Sequence, residues 1–215
     1  MDESVVRDNL LRIRERILRV GGSDVKIVAV TKALPAEAWA VADAVGCDAI
    51  GENYAQEVMV KAAEVPRHLP VHFIGQLQSN KVRQLSEIVA VWQTVDRESL
   101  LREIVKRAPE GRPPRMFVQV NTTGEQNKGG CAPQEAPVLV DLARSLGCVV
   151  EGAMTVGPTN GDPRETRSAF ARLRSLADEL GLAERSMGMT GDLEVAVEEG
   201  STMVRVGTAL FGERP

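Results

Sequence analysis

The chain has 215 residues, 43% of them hydrophobic, and its 26 Lys and Arg stand against 30 Asp and Glu for a formal net charge of −4. That is enough for one sizeable core, and it gives no general electrostatic reason to bind nucleic acid. Cys47, Cys131 and Cys148 are odd in number and lack CxxC spacing, the N-terminal segment is charged, and no apolar run approaches a membrane span; a soluble, untargeted, cytoplasmic protein without a disulfide framework, zinc site or membrane partner is expected.

The chain opens with an amphipathic helix: Val6, Leu10, Ile13, Ile17 and Val20 share one face, Arg12, Arg14, Arg16 and Arg19 lie elsewhere, and Gly21-Gly22 stops it. Short β-rich runs then alternate with helical patterns. Strands are expected at 25–31, 47–52, 71–75, 91–95, 116–121, 149–156, 185–189 and 203–207. Helices are expected near 36–45, 54–64, 79–88, 97–107, 134–146, 163–180 and 192–199, the sixth carrying Phe170, Leu173, Ala177 and Leu180 on one stripe. Near-continuous apolar runs such as Val25 to Val30 suit a parallel sheet covered by helices. The predicted class is therefore α/β: one TIM-type (β/α)8 barrel over residues 1–215, with residues 1–22 as an extra N-terminal helix packed on it. An open doubly wound sheet is the alternative; eight repeats and no GxGxxG at the first βα turn favour the barrel.

In such a barrel the residues just after each strand share one rim. Here they are Lys32, Glu52-Asn53-Tyr54, Gly75-Gln76, Asn121-Thr122, Met154-Thr155, Gly188-Met189-Thr190 and Gly207-Thr208. Lys32 carries a primary amine that can form a Schiff base, and the aldehyde most often bound this way is pyridoxal 5'-phosphate (PLP); a solvated lysine is the plain alternative. After strands 7 and 8, Ser186 to Gly191 and Arg205 to Ala209 suggest a phosphate cup of glycine amides with the Ser186 and Thr208 hydroxyls, adjacent to strand 1 once the barrel closes. Arg205 is either a structural cation satisfied by core carboxylates or a ligand of the cofactor ring. In the second case its charge opposes ring protonation and disfavours carbanion chemistry. His72 reads as a satisfied interior histidine and His68 as loop surface. Tyr54 is the only phenol, Glu52 the one rim carboxylate, and Glu194, Glu198 and Glu199 read as helix surface, so a two-base proton-transfer set is hard to assemble.

Six segments carry a family resemblance: Val28-Ala-Val-Thr-Lys32; Ile50-Gly-Glu-Asn-Tyr54 with Gln56-Glu57; His72-Phe-Ile-Gly-Gln-Leu-Gln-Ser-Asn-Lys81; Met154-Thr155; Ser186-Met-Gly-Met-Thr190; and Gly200 to Gly212. They resemble the YggS/PROSC family of PLP-binding homeostasis proteins. The resemblance implies a barrel like the N-terminal domain of alanine racemase without that enzyme's β domain. It also implies PLP on Lys32, Asn53 near the cofactor, Arg205 facing the pyridine nitrogen, and Ser186, Gly207 and Thr208 at the phosphate. The implied role is a monomeric, non-catalytic carrier or regulator of intracellular PLP, the active form of vitamin B6, serving apo-enzymes. Thr190, the segment Asn121 to Lys128 and Gly157 depart mildly from the family pattern. Lys128 is either a second lysine able to receive PLP during transfer or a solvated loop cation. Two other readings stand beside the carrier: a PLP-dependent amino-acid racemase or related enzyme, and a phosphosugar-binding barrel in which Lys32 pairs with phosphate.

Overall fold

In a computed structural model, which describes residues 1–213, eight parallel strands close into a barrel in sequence order, the last pairing with the first. The elements are α1 (Glu3–Arg19), β1 (Lys26–Val30), α2 (Glu37–Val45), β2 (Ala49–Glu52), α3 (Ala55–Glu64), β3 (Val71–Phe73), a 3-10 turn (Ser79–Lys81) running into α4 (Val82–Leu85), and β4 (Val89–Val95). They continue as α5 (Glu98–Arg107), β5 (Arg115–Gln119), α6 (Ala136–Ser145), β6 (Val149–Met154), α7 (Pro163–Glu179), β7 (Glu184–Ser186), α8 (Leu193–Glu198), β8 (Met203–Val206) and α9 (Thr208–Phe211).

All eight expected strands form, but six end early: β1 and β8 by one residue, β3, β5 and β6 by two and β7 by three. β3 stops at Phe73 because the chain must then pass close over β2: a Cβ on Gly75 would lie 2.1 Å from the Asn53 carbonyl oxygen. β6 ends at Met154, after which Thr155 turns its hydroxyl onto the Val120 carbonyl (2.8 Å). β7 is only Glu184–Ser186, since Gly188 adopts φ +96°, a left-handed conformation that breaks a strand. The helix expected at 79–88 shrinks to one 3-10 turn and one α-turn, anchored by buried Val82 and Leu85. One element was not anticipated, the single turn α9.

The barrel interior holds a small apolar cluster of Val28, Ala49, Val91, Phe117, Met154 and Met203, while the larger core lies between the strands and the helices. That division follows from strand alternation, which sends successive side chains to opposite faces. The N-terminal helix is more than an appendage. Its buried stripe Val6, Leu10, Ile13 and Ile17 packs α1 against α2, α8 and α9, so it takes the place of the outer helix that α9 is too short to provide. Asp2 caps it by accepting the Ser4 N–H (2.9 Å), and Asn9 on its flank donates to the Leu210 carbonyl (3.0 Å). Arg16 forks onto both Glu194 oxygens (2.6 and 2.8 Å) and donates to the Thr190 carbonyl (3.1 Å), tying α1 to α8 and to the loop before it.

Candidate functional site at the strand C-termini

A cavity of about 400 Å³ opens at the C-terminal rim, lined by Val30, Lys32, Asn53, Ile74, Met154, Val156, Met189, Thr190, Gly191, Arg205, Gly207 and Thr208. Five of the six expected binding residues meet there: Lys32, Asn53, Arg205, Gly207 and Thr208. The apolar walls continue the inward faces of the strands, Val30 lying two residues after Val28 on β1 and two before Lys32. That period of two was a sequence signal for the walls. Its volume suits a small cofactor.

Ser186 is the exception. It is fully buried beneath the cavity floor, where its hydroxyl donates to Gln93 Oε1 (2.7 Å) and accepts from Arg205 Nη1 (2.7 Å). Both sides of the hydroxyl are engaged within the protein, and the hydroxyls that line this end of the cavity belong to Thr190 and Thr208 rather than to Ser186. The reason is depth, because Ser186 lies inside β7 and points to the barrel axis, whereas Thr190 follows the Gly188 turn and reaches the rim.

Arg205 projects from β8 into the interior. Nη1 donates to the Ser186 carbonyl (2.8 Å) and hydroxyl, and Nη2 to the Thr155 carbonyl (2.8 Å). None of these acceptors is a carboxylate, which removes the reading of a cation satisfied by core carboxylates. Burial lowers its pKa to about 10, with Asp192 opposing the shift, so the guanidinium stays charged at neutral pH. Two of its five N–H groups have no acceptor among the described residues. Asn53 Oδ1 is likewise buried without a hydrogen-bond partner. Below Arg205, Gln93 Nε2 approaches His72 Nδ1 at 2.7 Å. His72 is the satisfied interior histidine expected, its pKa pushed down to about 3, chiefly by burial, and His68 is exposed as expected.

The carboxylates are placed differently from the expectation. Glu52 is not on the rim facing the cavity; it is fully buried on the outside of the barrel wall, accepting from Thr31 Oγ1 (2.6 Å), Trp39 Nε1 (3.0 Å) and Lys61 Nζ (2.7 Å). Parity again explains it, as Glu52 and Asn53 point to opposite faces. Glu199 is not surface either, being buried against Arg167 (2.8 Å) and Arg174 (3.4 Å) from α7. Tyr54 is exposed at the start of α3 and does not line the cavity. Among the residues that do, Lys32 and Arg205 alone carry titratable side chains. Lys128 is held away from the lining by Glu125 (3.0 Å) and the Gly157 carbonyl. Glu57 and Lys61 hold the peptide groups on either side of Lys32; Glu57 falls in the Gln56-Glu57 segment of the family resemblance, but nothing signalled this role, since a Glu-Lys pair four residues apart on a helix reads as a surface ion pair.

The family model described as alanine racemase, N-terminal domain, matches residues 1–215. A Pseudomonas aeruginosa protein named pyridoxal phosphate homeostasis protein is 40% identical over 98% of this chain and 96% of its own. The structure of Synechococcus elongatus PipY with PLP bound superposes with a TM-score of 0.85 at 34% identity, covering 96% of this chain and all of that one. Clostridium difficile alanine racemase shares the barrel with a TM-score of 0.78; at 18% identity and with 57% of its chain covered, it bears on the fold alone.

Proposed function

The chain belongs to the alanine racemase N-terminal domain family and, within it, to the pyridoxal phosphate homeostasis proteins, and from that premise we propose that it holds PLP at the barrel rim and serves PLP homeostasis or its delivery to apo-enzymes. The observation that carries this reading is the convergence of Lys32, Asn53, Arg205, Gly207 and Thr208 on one cavity of about 400 Å³. The donor set fits the cofactor. Asn53 supplies an unsatisfied amide oxygen for a phenolic hydroxyl, Arg205 supplies unused N–H groups for a ring nitrogen, and the Thr190 and Thr208 hydroxyls with the small Gly191 and Gly207 suit a phosphate. When bound, PLP supplies an aldehyde that condenses with a primary amine. Lys32 provides that amine. Arg205, charged at neutral pH, would donate to the ring nitrogen and disfavour its protonation.

Retention without turnover is part of the proposal. A charged guanidinium at the ring nitrogen weakens the ring as an electron sink, and the lining supplies no acid or base beyond Lys32 and Arg205. The cytoplasmic setting is supported by three buried free thiols. The proposal takes the chain as a monomer, and its single-domain organisation is supported by α1 packing against α2, α8 and α9 to complete the barrel's outer layer. The test is borohydride reduction after addition of PLP, followed by peptide mass mapping. A pyridoxyl adduct on Lys32 is expected, with no amino-acid turnover at matched loading. No adduct on any lysine refutes the PLP reading and promotes the phosphosugar barrel, while racemisation at enzymatic rates promotes the enzyme.

A further inference from the structure

Lys32 sits at the second position of a β-turn, Thr31 to Leu34, closed by the Leu34 N–H on the Thr31 carbonyl (3.1 Å). The third position is Ala33 at φ +57°, a left-handed conformation that favours glycine. Something outside the turn has to hold it. Lys61 Nζ from α3 donates to the Thr31 carbonyl (2.7 Å), and Glu57 Oε2, one helical turn away on α3, accepts the Ala33 N–H (2.8 Å). The Thr31 carbonyl belongs to the peptide bond preceding Lys32 and the Ala33 N–H to the one following it. Both peptide groups of Lys32 are therefore gripped from behind the barrel wall by one ion pair, Lys61 to Glu57 at 3.0 Å. Lys61 is further locked by Glu52 (2.7 Å), which also accepts from Thr31 Oγ1 and Trp39 Nε1.

This is an expensive way to secure a loop. Lys61 and Glu52 are both buried, and Glu52 Oε2 has no hydrogen-bond partner among the described residues; an apolar pair would avoid the desolvation. What the polar arrangement provides is a fixed orientation of two specific peptide planes, and hence of the Cα–Cβ direction of the residue between them. We propose that Glu57 and Lys61 are positioning residues for Lys32, setting its amine at the angle from which it meets an aldehyde carbon in the cavity. In that capture the Lys32 nitrogen forms a C=N bond to the aldehyde carbon, and the carbonyl oxygen leaves as water with the two amine hydrogens. Neither Glu57 nor Lys61 lines the cavity, so they act on a ligand there only through the backbone they hold.

The inference rests on the PLP reading above, and the experiment separates the two. Two ligands are compared: PLP, whose covalent capture is followed by its absorbance, and pyridoxine 5'-phosphate, which has no aldehyde and reports the remaining contacts by its affinity. Glu57→Ala, a change at a partly exposed residue, should slow PLP capture about tenfold and leave pyridoxine 5'-phosphate affinity within about twofold. Glu57→Gln, which keeps an acceptor for the Ala33 N–H, should recover most of the rate. Lys61→Met should slow capture at least as much. If the wild-type chain captures PLP on Lys32 while Glu57→Ala captures it equally fast, or loses both ligands in parallel, the positioning role is overturned. If the wild-type chain captures no PLP, the underlying reading itself fails.

Discussion

Replacing Ser186 with alanine separates a role beneath the cofactor from a role at its phosphate. The hydroxyl is fully buried between Gln93 Oε1 (2.7 Å) and Arg205 Nη1 (2.7 Å). Ser186→Ala leaves Arg205 Nη1 with the Ser186 carbonyl at 2.8 Å, but it strips Gln93 Oε1 of its donor in a closed interior. One orphaned buried acceptor costs about 1–3 kcal/mol, which for a chain of this size lowers Tm by about 2–12 °C. Phosphate recognition should be untouched, because Ser186 is absent from the cavity lining. The assay is a thermal or urea melt of the apo-protein beside the ratio of affinities for pyridoxal 5'-phosphate and pyridoxal. Ser186→Ala should melt earlier yet keep that ratio within about twofold of wild type, whereas Thr208→Val should reduce it, by about fivefold if one hydroxyl hydrogen bond of about 1 kcal/mol is lost. A Ser186→Ala protein of normal stability whose phosphate preference falls tenfold would refute the assignment of Ser186 to the floor.

Three further outcomes follow from the geometry. Lys32→Ala should remove the PLP chromophore and change the denaturant midpoint little, since a half-buried rim lysine adds little to the core; an unchanged yellow protein would sink Lys32 as the anchor. Gly75→Ala should destabilise by about 3 kcal/mol or more and impair PLP loading together, because its Cβ would meet the Asn53 backbone oxygen at 2.1 Å; a stable, normally loading variant would contradict the close approach. The third concerns pH. Burial pushes the His72 pKa from 6.5 down to about 3, so between those values the unfolded chain binds a proton that the folded chain refuses. Its influence is nil above pH 6.5 and erodes stability as pH falls from about 6.5 towards 3, at up to about 1.4 kcal/mol per pH unit. Urea midpoints measured from pH 7 to 5 should fall more steeply for wild type than for His72→Gln, and parallel curves would count against a buried neutral imidazole.

Strand alternation and helix spacing were local signals, which is why all eight strands and the buried stripe of α1 were legible in the chain. Element ends were less so. The short β3 is cut where Gly75 passes over Asn53 and β7 by the left-handed Gly188 packed against α8, and neither approach is announced by the strand's own residues. The same distinction runs through the site. Lys32, Asn53, Arg205, Gly207 and Thr208 were legible because each lies in or just after a strand, and a closed barrel brings those positions to one rim. Ser186, Glu52 and Glu199 were misplaced because their surroundings depend on which way a side chain faces and on what another element brings to it. Depth along β7 puts Ser186 under Arg205, and one residue of parity puts Glu52 behind the wall.

The sequence by itself determined the α/β class, the order of eight strands, the barrel and the family, because repeat periodicity and short motifs are properties of contiguous residues. Only the tertiary structure decided that α1 makes up for the short last helix, that Arg205 is buried on neutral hydrogen-bond acceptors, and that Glu57 and Lys61 grip the two peptide groups of Lys32. These depend on distances between residues far apart along the chain or on opposite sides of the barrel wall, and burial is what turns a Glu-Lys pair that looks like surface decoration into an arrangement able to hold a backbone in place.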